Sequence, residues 1–149
     1  MSTRPASMPA DLGFAQLLRA HGLRATTPRR GIYGVFADAA GADPANAHLS
    51  AEDVFQRAHL QLPELSRDTV SHELGELVEA GLLGLVEGPG ARRYDANVSP
   101  HHHFRCSECQ ELRDIPLAGV EVTLREDGIA FERAHVVFEG LCPKCAGRA

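Results

Sequence analysis

Two pairs of cysteines place the strongest constraint on how this chain folds. Cys106 and Cys109 form one C-x-x-C pair and Cys142 and Cys145 form a second, which accounts for all four cysteines of the 149-residue sequence. Two such pairs can present four thiolates to one tetrahedral Zn²⁺ ion, each pair from a single tight turn. The spacing therefore predicts a structural zinc site on these four residues.

The alternative interpretation of the cysteines is a redox-active dithiol. Redox C-x-x-C motifs normally use a single pair within a β-α-β unit, whereas this sequence has two pairs and no such unit. A closed four-thiolate zinc site leaves no coordination position open for chemistry, so we expect the function to lie elsewhere in the chain.

The composition predicts a globular chain without a membrane anchor. Hydrophobic residues make up 44% of the sequence, and no apolar run approaches the roughly 18 residues that a membrane helix needs. Residues 1–10 lack the pattern of a signal peptide and are expected to form a disordered tail. Thiols kept for metal, without a targeting signal, predict a cytoplasmic protein. Neither a membrane nor a small organic substrate is expected as a partner.

Residues 11–95 carry the start and stop signals of several helices. Thr27 as a hydroxyl N-cap, followed by Pro28 at the first helical position, predicts a helix start, and a loop is predicted over residues 39–47. Ser50 with Asp53 three residues later predicts a capped helix. Ser66 predicts the start of a further helix, which Gly81 ends. Two short helices joined by a tight turn are typical of a helix-turn-helix.

A β-hairpin is predicted directly after these helices. Residues 82–87 and 91–95 flank a Gly-Pro-Gly turn at 88–90, which is a hairpin signal. Helices followed by a hairpin predict a winged helix-turn-helix domain over residues 11–95. A helix pair and a hairpin that merely pack together remain the alternative, because a fold does not fix a function.

Residues 96–100 are predicted to be a hinge, and three histidines follow it. On a strand, His101 and His103 point to one face and His102 to the other. Imidazoles combined with the carboxylates of Asp95 and Asp114 favour Fe²⁺ or Mn²⁺. The alternative is a solvated strand end. A net charge of −5 means that any binding to DNA would require a local basic face.

Taken in order, these motifs resemble the ferric uptake regulator family of bacterial metal-dependent transcription factors. The resemblance extends from about Leu12 to Cys145 and depends on the joint order of several segments. These are residues 21–30 (HGLRATTPRR), 48–53 (HLSAED), 77–82 (LVEAGL), 93–95 (RYD), the histidine run and both cysteine pairs.

The resemblance implies an α+β protein that binds double-stranded operator DNA as a homodimer. It implies an N-terminal winged helix and a small C-terminal α/β dimerisation domain at 101–149, with structural zinc on Cys106, Cys109, Cys142 and Cys145. It places the family's regulatory Fe²⁺ or Mn²⁺ on His48, Asp95, His101, His103 and Asp114. A metal that gathers these ligands would favour one domain orientation.

An aspartate at position 114, rather than a glutamate, resembles the peroxide-sensing branch of the family. In that branch Fe²⁺ reacts with H₂O₂ and ligand histidines are oxidised, which here would be His48 and His101. The alternatives are a manganese- or iron-uptake regulator without peroxide chemistry and, as a minor reading, a metalloenzyme. Because no nucleophile–base pair accompanies the metal ligands, we expect a regulator rather than an enzyme.

The sequence departs from the family pattern at three places. Ser71 and His72 stand where the family usually has tyrosine followed by arginine or asparagine, which predicts a different operator or weaker binding. The segment between the cysteine pairs is short, which predicts a shortened helix near residues 120–126. The position of His135 is displaced, so no additional metal site is assigned to His102, Glu121 or His135. The expected DNA contacts are Arg67, Thr69, Ser71 and His72 on the recognition helix and Arg92 and Arg93 on the wing.

Overall fold

The computed structural model describes residues 11–43, 47–88 and 90–147. These residues form two compact units, with the boundary between Ser99 and Pro100. The predicted tail at 1–10 and Pro89 of the predicted hairpin turn lie outside the described residues. No helix within the described ranges is long and apolar enough to cross a membrane.

Four helices make up most of the N-terminal unit. Their bounds are α1 Asp11–Ala20, α2 Thr27–Ala42, α3 Ala51–Gln61 and α4 Arg67–Glu79. The predicted caps at Ser50 and Ser66 are confirmed: the Ser50 hydroxyl accepts from the Asp53 N–H at 3.1 Å, and the Ser66 hydroxyl accepts from the Thr69 N–H at 3.1 Å. Asp53 also accepts from the Ser50 N–H, which completes a capping box.

Two predicted details of α2 are wrong. The cap is Thr26, whose hydroxyl accepts from the Arg29 N–H, so Thr27 is already helical. The loop predicted from Ala39 begins only at Asp43, because the alanine-rich end of α2 continues the helix. The Asp43 N–H still bonds to the Ala39 carbonyl at 3.0 Å, one turn back.

A three-stranded antiparallel sheet completes the N-terminal unit. Its strands are β1 His48–Ser50, β2 Gly84–Val86 and β3 Arg93–Asp95, in the order β1-β3-β2. β2 and β3 form the predicted wing. β1 was not predicted, because three residues are too few to show an alternating pattern. With α3 and α4 ahead of the wing, the unit has the predicted winged helix-turn-helix arrangement.

The core of the N-terminal unit is formed by the apolar faces of its helices. Ile32, Phe36, Leu74 and Leu77 are fully buried, and Val54 of α3 joins them. Among the described residues, the cluster contains sixteen buried side chains from all four helices and the segments around the sheet. A core of this kind holds α4 at a fixed angle to α3 through ordinary hydrophobic burial.

The C-terminal unit is a small mixed sheet. Its strands are β4 His102–Cys106, β5 Leu112–Ile115 and β6 Val137–Gly140, followed by α5 Pro143–Ala146. β4 lies in the centre, antiparallel to β5 and parallel to β6. The buried cluster here consists of Cys106, Cys142 and Cys145 with Phe104 packed against them. The cysteines therefore occupy the place of a hydrophobic core.

The helix predicted near residues 120–126 is absent. Only a short 3-10 helix, Leu117–Gly119, forms before this segment, and residues 120–126 have no regular structure. Val120, Val122 and Leu124 alternate with polar residues, so a helix would spread them over several faces instead of one. All residues from 121 to 133 are exposed.

Candidate metal centres

The four cysteines form one cluster in the C-terminal unit. Cys106 ends β4, Cys109 lies in the turn that follows, Cys142 caps α5 and Cys145 lies within α5. Their sulfur atoms are within 4.8 Å of one another, and Cys109 Sγ is 3.8 Å from Cys142 Sγ. Zn–S bonds of about 2.3 Å in a tetrahedron place sulfurs about 3.8 Å apart. The cluster therefore fits a tetrahedral zinc ion.

Backbone geometry fixes the first pair of this cluster. The Gln110 N–H donates to the Cys106 carbonyl at 2.9 Å, and Gln110 has a positive φ of 64°. This left-handed residue turns the chain back toward β5 immediately after Cys109. Four residues therefore suffice to present two sulfurs to the same point.

The electrostatics of the cluster call for a cation. N–H groups of Cys109 and Cys142 donate to the Cys106 sulfur and lower its pKa to about 6. In contrast, the hydrogen bond with the Cys142 thiol, followed by burial, raises the pKa of Cys145 to about 12. One thiolate is thus stabilised locally while further thiolates are disfavoured. A divalent ion supplies the charge that allows all four to ionise together.

A second cluster in the C-terminal unit contains two imidazoles and a carboxylate. His103 and Asp114 are directly opposite each other on β4 and β5. Asp114 Oδ1 is 3.0 Å from His101 Nε2 and 3.6 Å from His103 Nε2, and the two Nε2 atoms are 3.0 Å apart. His101 and His103 therefore share one face, as the strand period predicted.

The remaining two predicted regulatory ligands lie together in the N-terminal unit. His48 on β1 and Asp95 on β3 are register partners, and His48 Nε2 is 3.2 Å from Asp95 Oδ2. Both residues are buried. The Asn97 N–H donates to the other oxygen, Asp95 Oδ1, at 2.8 Å, which holds the carboxylate in place.

The donor chemistry of these two sets suits a borderline or hard divalent ion. Imidazole nitrogens combined with carboxylate oxygens fit Fe²⁺ or Mn²⁺ better than thiolate sites do. The C-terminal unit supplies three donors and the N-terminal unit supplies two. Neither set alone reaches the six ligands of an octahedral ion.

Two further histidines, to which the sequence assigned no metal site, lie at this part of the sheet. His102 belongs to β4, and His135 contacts it. His135 Nε2 is 2.7 Å from His103 Nδ1, and His102 Nδ1 accepts the Val136 N–H at 2.9 Å. Burial, together with the neighbouring His103, lowers the pKa of His135, which favours a neutral ring. No short motif could have revealed the contact, because His103 and His135 are 32 residues apart. Glu121 is exposed.

The predicted DNA contacts lie on the exposed side of α4 and on the wing. Arg67, Ser71, His72 and Arg92 are exposed, while Thr69 and Arg93 are half-buried. The Arg67 guanidinium donates twice to Glu52, at 2.9 Å each, and lies 4.2 Å over the Phe55 ring. His72 is 3.9 Å from Glu76, and Arg92 is 3.2 Å from Glu87.

One ion pair that positions α4 was not predicted. Arg29 of α2 donates to Glu73 of α4 at 2.6 Å, and each side chain is only 12% exposed. Arg29 also donates to the Arg24 carbonyl at 3.0 Å. The two charges are 44 residues apart in sequence and belong to different helices, so no local pattern indicated their contact.

A winged helix followed by a small sheet with a four-cysteine cluster and a histidine–carboxylate cluster defines a class: metal-responsive DNA-binding regulators. Residues 20–136 match the model of the ferric uptake regulator family. The chain belongs to that family, and it is a metal-dependent transcriptional regulator rather than an enzyme.

Three relatives illustrate the match. Transcriptional regulator FurA of Mycobacterium tuberculosis is 32% identical over 139 residues, which cover 89% of this chain and 90% of that protein. The peroxide operon regulator of Bacillus subtilis is 26% identical, with 88% and 90% covered. The ferric uptake regulator of Francisella tularensis, solved with iron, is 23% identical and has a TM-score of 0.68, with 84% and 96% covered. This last likeness confirms the α+β fold.

Proposed function

We propose that this chain is a DNA-binding repressor that senses peroxide through Fe²⁺ held by His48, Asp95, His101, His103 and Asp114. The observation that carries the proposal is the cluster around Asp114, where two imidazole nitrogens lie 3.0 and 3.6 Å from one carboxylate oxygen. In this proposal the cysteine cluster holds a structural Zn²⁺ ion.

The switch follows from how the ligands are distributed between the units. His101, His103 and Asp114 belong to the C-terminal unit, whereas His48 and Asp95 belong to the N-terminal unit. A metal that takes ligands from both binds best to the domain orientation in which they converge. Binding therefore increases the population of that orientation, which we propose is the DNA-binding form.

The choice of the peroxide branch depends on the carboxylate at position 114. In the family, aspartate at this position resembles the peroxide-sensing members. Bound Fe²⁺ would supply the reduction of H₂O₂ by which an oxygen atom is added to a ligand imidazole. We propose His48 and His101 as the oxidised residues. Once oxidised, the imidazole no longer binds the metal through its nitrogen, so the protein releases the metal and then the operator.

The test compares Fe²⁺-loaded and Mn²⁺-loaded protein on its own promoter DNA before and after dilute H₂O₂. We expect the iron form alone to gain the mass of oxygen atoms on peptides containing His48 or His101 and to lose DNA affinity. Asp114→Glu is the matched variant, because one methylene moves the carboxylate by about 1.5 Å. It should keep metal-dependent DNA binding and lose the oxidation. An iron-loaded protein whose mass and affinity survive peroxide would rule out peroxide sensing.

The second candidate is a manganese- or iron-uptake regulator without peroxide chemistry. It is supported by sequence identity, which is higher to the ferric uptake regulation protein of Bacillus subtilis (33% over 110 residues) than to the peroxide operon regulator of the same organism (26% over 136 residues). It predicts the same metal-dependent DNA binding, and His103→Ala should abolish the difference between the metal-loaded and metal-free forms. Only the peroxide step separates the two candidates.

We propose that α4 and the wing contact the operator through Arg67, Thr69, Ser71, His72, Arg92 and Arg93. Arg67 and Arg92 carry side chains long enough to reach phosphates, and Ser71 and His72 lie one turn further along the exposed face. Replacing one phosphate contact should reduce the slope of log affinity against log salt by about 1. Arg67→Ala and Arg92→Ala test this in fluorescence anisotropy titrations, with His21→Ala in the turn after α1 as the control. Unchanged salt slopes in both arginine variants would refute the assignment.

We also propose that the chain acts as a homodimer through its C-terminal unit. Among the described residues of that unit, seven large apolar side chains are exposed, and exposed apolar surface of this kind marks sites of protein–protein contact. They are Leu117, Val122, Leu124, Ile129, Phe131, Phe138 and Leu141. Phe131→Asp should shift the mass measured by sedimentation from dimer to monomer. Leu60→Asp, at an 83% exposed position of α3, should leave the dimer intact. A monomeric wild type would refute the proposal.

A further inference from the structure

His135 lies two residues before the start of β6 and contacts His103, a proposed metal ligand. Its Nε2 atom is 2.7 Å from Nδ1 of His103, and the two rings are nearly perpendicular, at 83° with centroids 5.0 Å apart. This distance is within the range of a nitrogen–nitrogen hydrogen bond. The nitrogen of His103 that His135 contacts is the one pointing away from Asp114.

Backbone hydrogen bonds fix the position from which His135 reaches His103. The His103 N–H donates to the Val136 carbonyl at 3.0 Å, and the Val136 N–H donates to His102 Nδ1 at 2.9 Å. The parallel pairing of His103 with Val137 continues the contact into β6. His135 is thus held beside β4 by its neighbour Val136, although residues 121–133 before it are exposed.

The bond couples the protonation pattern of the two rings. Only one proton lies between His103 Nδ1 and His135 Nε2, because two lone pairs or two N–H groups would repel each other. If His135 donates, a neutral His103 carries its proton on Nε2 and cannot bind a metal there. If His135 accepts, the proton is on His103 Nδ1, and the lone pair of Nε2 is directed toward Asp114 and His101.

We propose that His135 is a positioning residue for the regulatory metal. It accepts the Nδ1 proton of His103 and so holds His103 in the tautomer whose Nε2 can ligate. This inference rests on the proposed function, in which His103 is a ligand. Metal-bound histidines usually donate their second N–H to a carboxylate, a carbonyl or water. Here the imidazole of His135, two residues before β6, fills that role.

The first test measures the tautomer without any regulatory metal. Protein labelled with ¹⁵N-histidine, holding zinc but no iron or manganese, is compared as wild type, His135→Ala and His135→Gln by long-range ¹H–¹⁵N spectroscopy. We expect the Nδ1–H form of His103 in the wild type and in His135→Gln, since the glutamine oxygen can accept. His135→Ala should shift His103 toward the Nε2–H form. The same tautomer in His135→Ala as in the wild type would overturn the proposal.

The second test measures Mn²⁺ affinity by competition with a chelating indicator. His135→Ala should weaken binding by about 10- to 100-fold, the usual effect of removing such a partner, and His135→Gln should recover most of the loss. His102→Gln is the matched control, because its side-chain oxygen can still accept the Val136 N–H. An equal loss in His102→Gln would assign the effect to packing of β6 and overturn the proposal.

Retained zinc content and amide protection in β4–β6 show that each variant is folded. Failure of the proposed function gives a different result from failure of this inference. If His103→Ala binds Mn²⁺ as tightly as the wild type, the regulatory-site assignment is wrong. If His103→Ala loses affinity and His135→Ala does not, only the role of His135 is wrong.

Discussion

Removing zinc should unfold the C-terminal unit while the N-terminal unit stays folded. The folds of the two units are stabilised by different interactions. Of the residues that the structure describes, sixteen buried ones form the hydrophobic core of the N-terminal unit. The buried cluster of the C-terminal unit is Cys106, Cys142 and Cys145 with Phe104 packed against them. Without the metal, three of these four residues are thiols that are no longer bound to one common ion.

The magnitude follows from comparing the two contributions in the C-terminal unit. Structural zinc contributes about 10–16 kcal/mol at pH 7 in small zinc domains. Full burial of one leucine or phenylalanine contributes about 1.5–3 kcal/mol, and Leu112 is the one such side chain among the described residues of this unit that is fully buried. A typical domain has a net stability of only about 5–15 kcal/mol. The free energy lost with the zinc ion therefore exceeds the net folding stability expected of this unit.

The two tyrosines make the assay specific. Tyr33 and Tyr94 both belong to the N-terminal unit, and the sequence contains no tryptophan. After chelation under reducing conditions, tyrosine fluorescence and its thermal transition should stay close to those of the zinc form. Amide exchange in β4, β5 and β6 should become fast, while α2 and α4 stay protected. Cys142→Ser should reproduce the chelated state. Protected strands after complete zinc removal, or simultaneous loss of both units, would refute the reasoning.

Three further predictions concern the N-terminal unit. The hydrogen bonds from Arg67, then Gln56, lower the pKa of Glu52 to about 2, so Glu52 stays ionised and the pair is lost only as the pH falls through about 2. Glu52→Gln should therefore release Arg67 at neutral pH and tighten DNA binding by about two- to five-fold, measured by anisotropy; equal or weaker binding counts against competition for Arg67. Arg29→Ala leaves Glu73 unpaired and should cost about 1.5–3 kcal/mol of unfolding free energy, seen in urea titrations as a lower midpoint. Leu77→Ala in the fully buried core should cost about 2–5 kcal/mol in the same titrations without changing zinc content, and a loss below about 1 kcal/mol would mean that the core collapses around the gap.

Sequence patterns predicted the helical unit well because its signals are local. A hydroxyl residue followed three positions later by an acid predicts a helix start, and this held at Ser50. Gly22 and Gly81 end helices at positive φ values of 79° and 81°, where an L side chain is disfavoured. The errors were equally local: Thr26 and Thr27 offer the same hydroxyl, so sequence alone could not choose between them.

The C-terminal unit was harder to predict, because its sheet depends on pairing between strands that are far apart in the sequence. The cysteine spacing predicted the cluster, but the pairing of β4 with β6 joins residues more than thirty positions apart. The contact of His135 with His103 follows from this pairing. Similarity to the family predicted a helix near residues 120–126, whereas the alternating apolar residues of this chain do not support one.

The separation of the two clusters in the C-terminal unit has a consequence for how a metal switch can work. Cys106 ends the same strand that begins with His102 and His103, so a zinc ion bound to Cys106 fixes β4 without occupying its histidine end. The proposed regulatory ligands His103 and Asp114 are then pre-positioned by the β4–β5 register, and ordering them costs little when the second metal arrives. Most of the binding free energy of that metal is therefore available to align the proposed N-terminal ligands. A zinc-depleted protein should accordingly lose its response to Mn²⁺ even though His48, Asp95 and the entire DNA-reading helix stay folded, and DNA binding that still responds to Mn²⁺ without zinc would contradict this order of dependence.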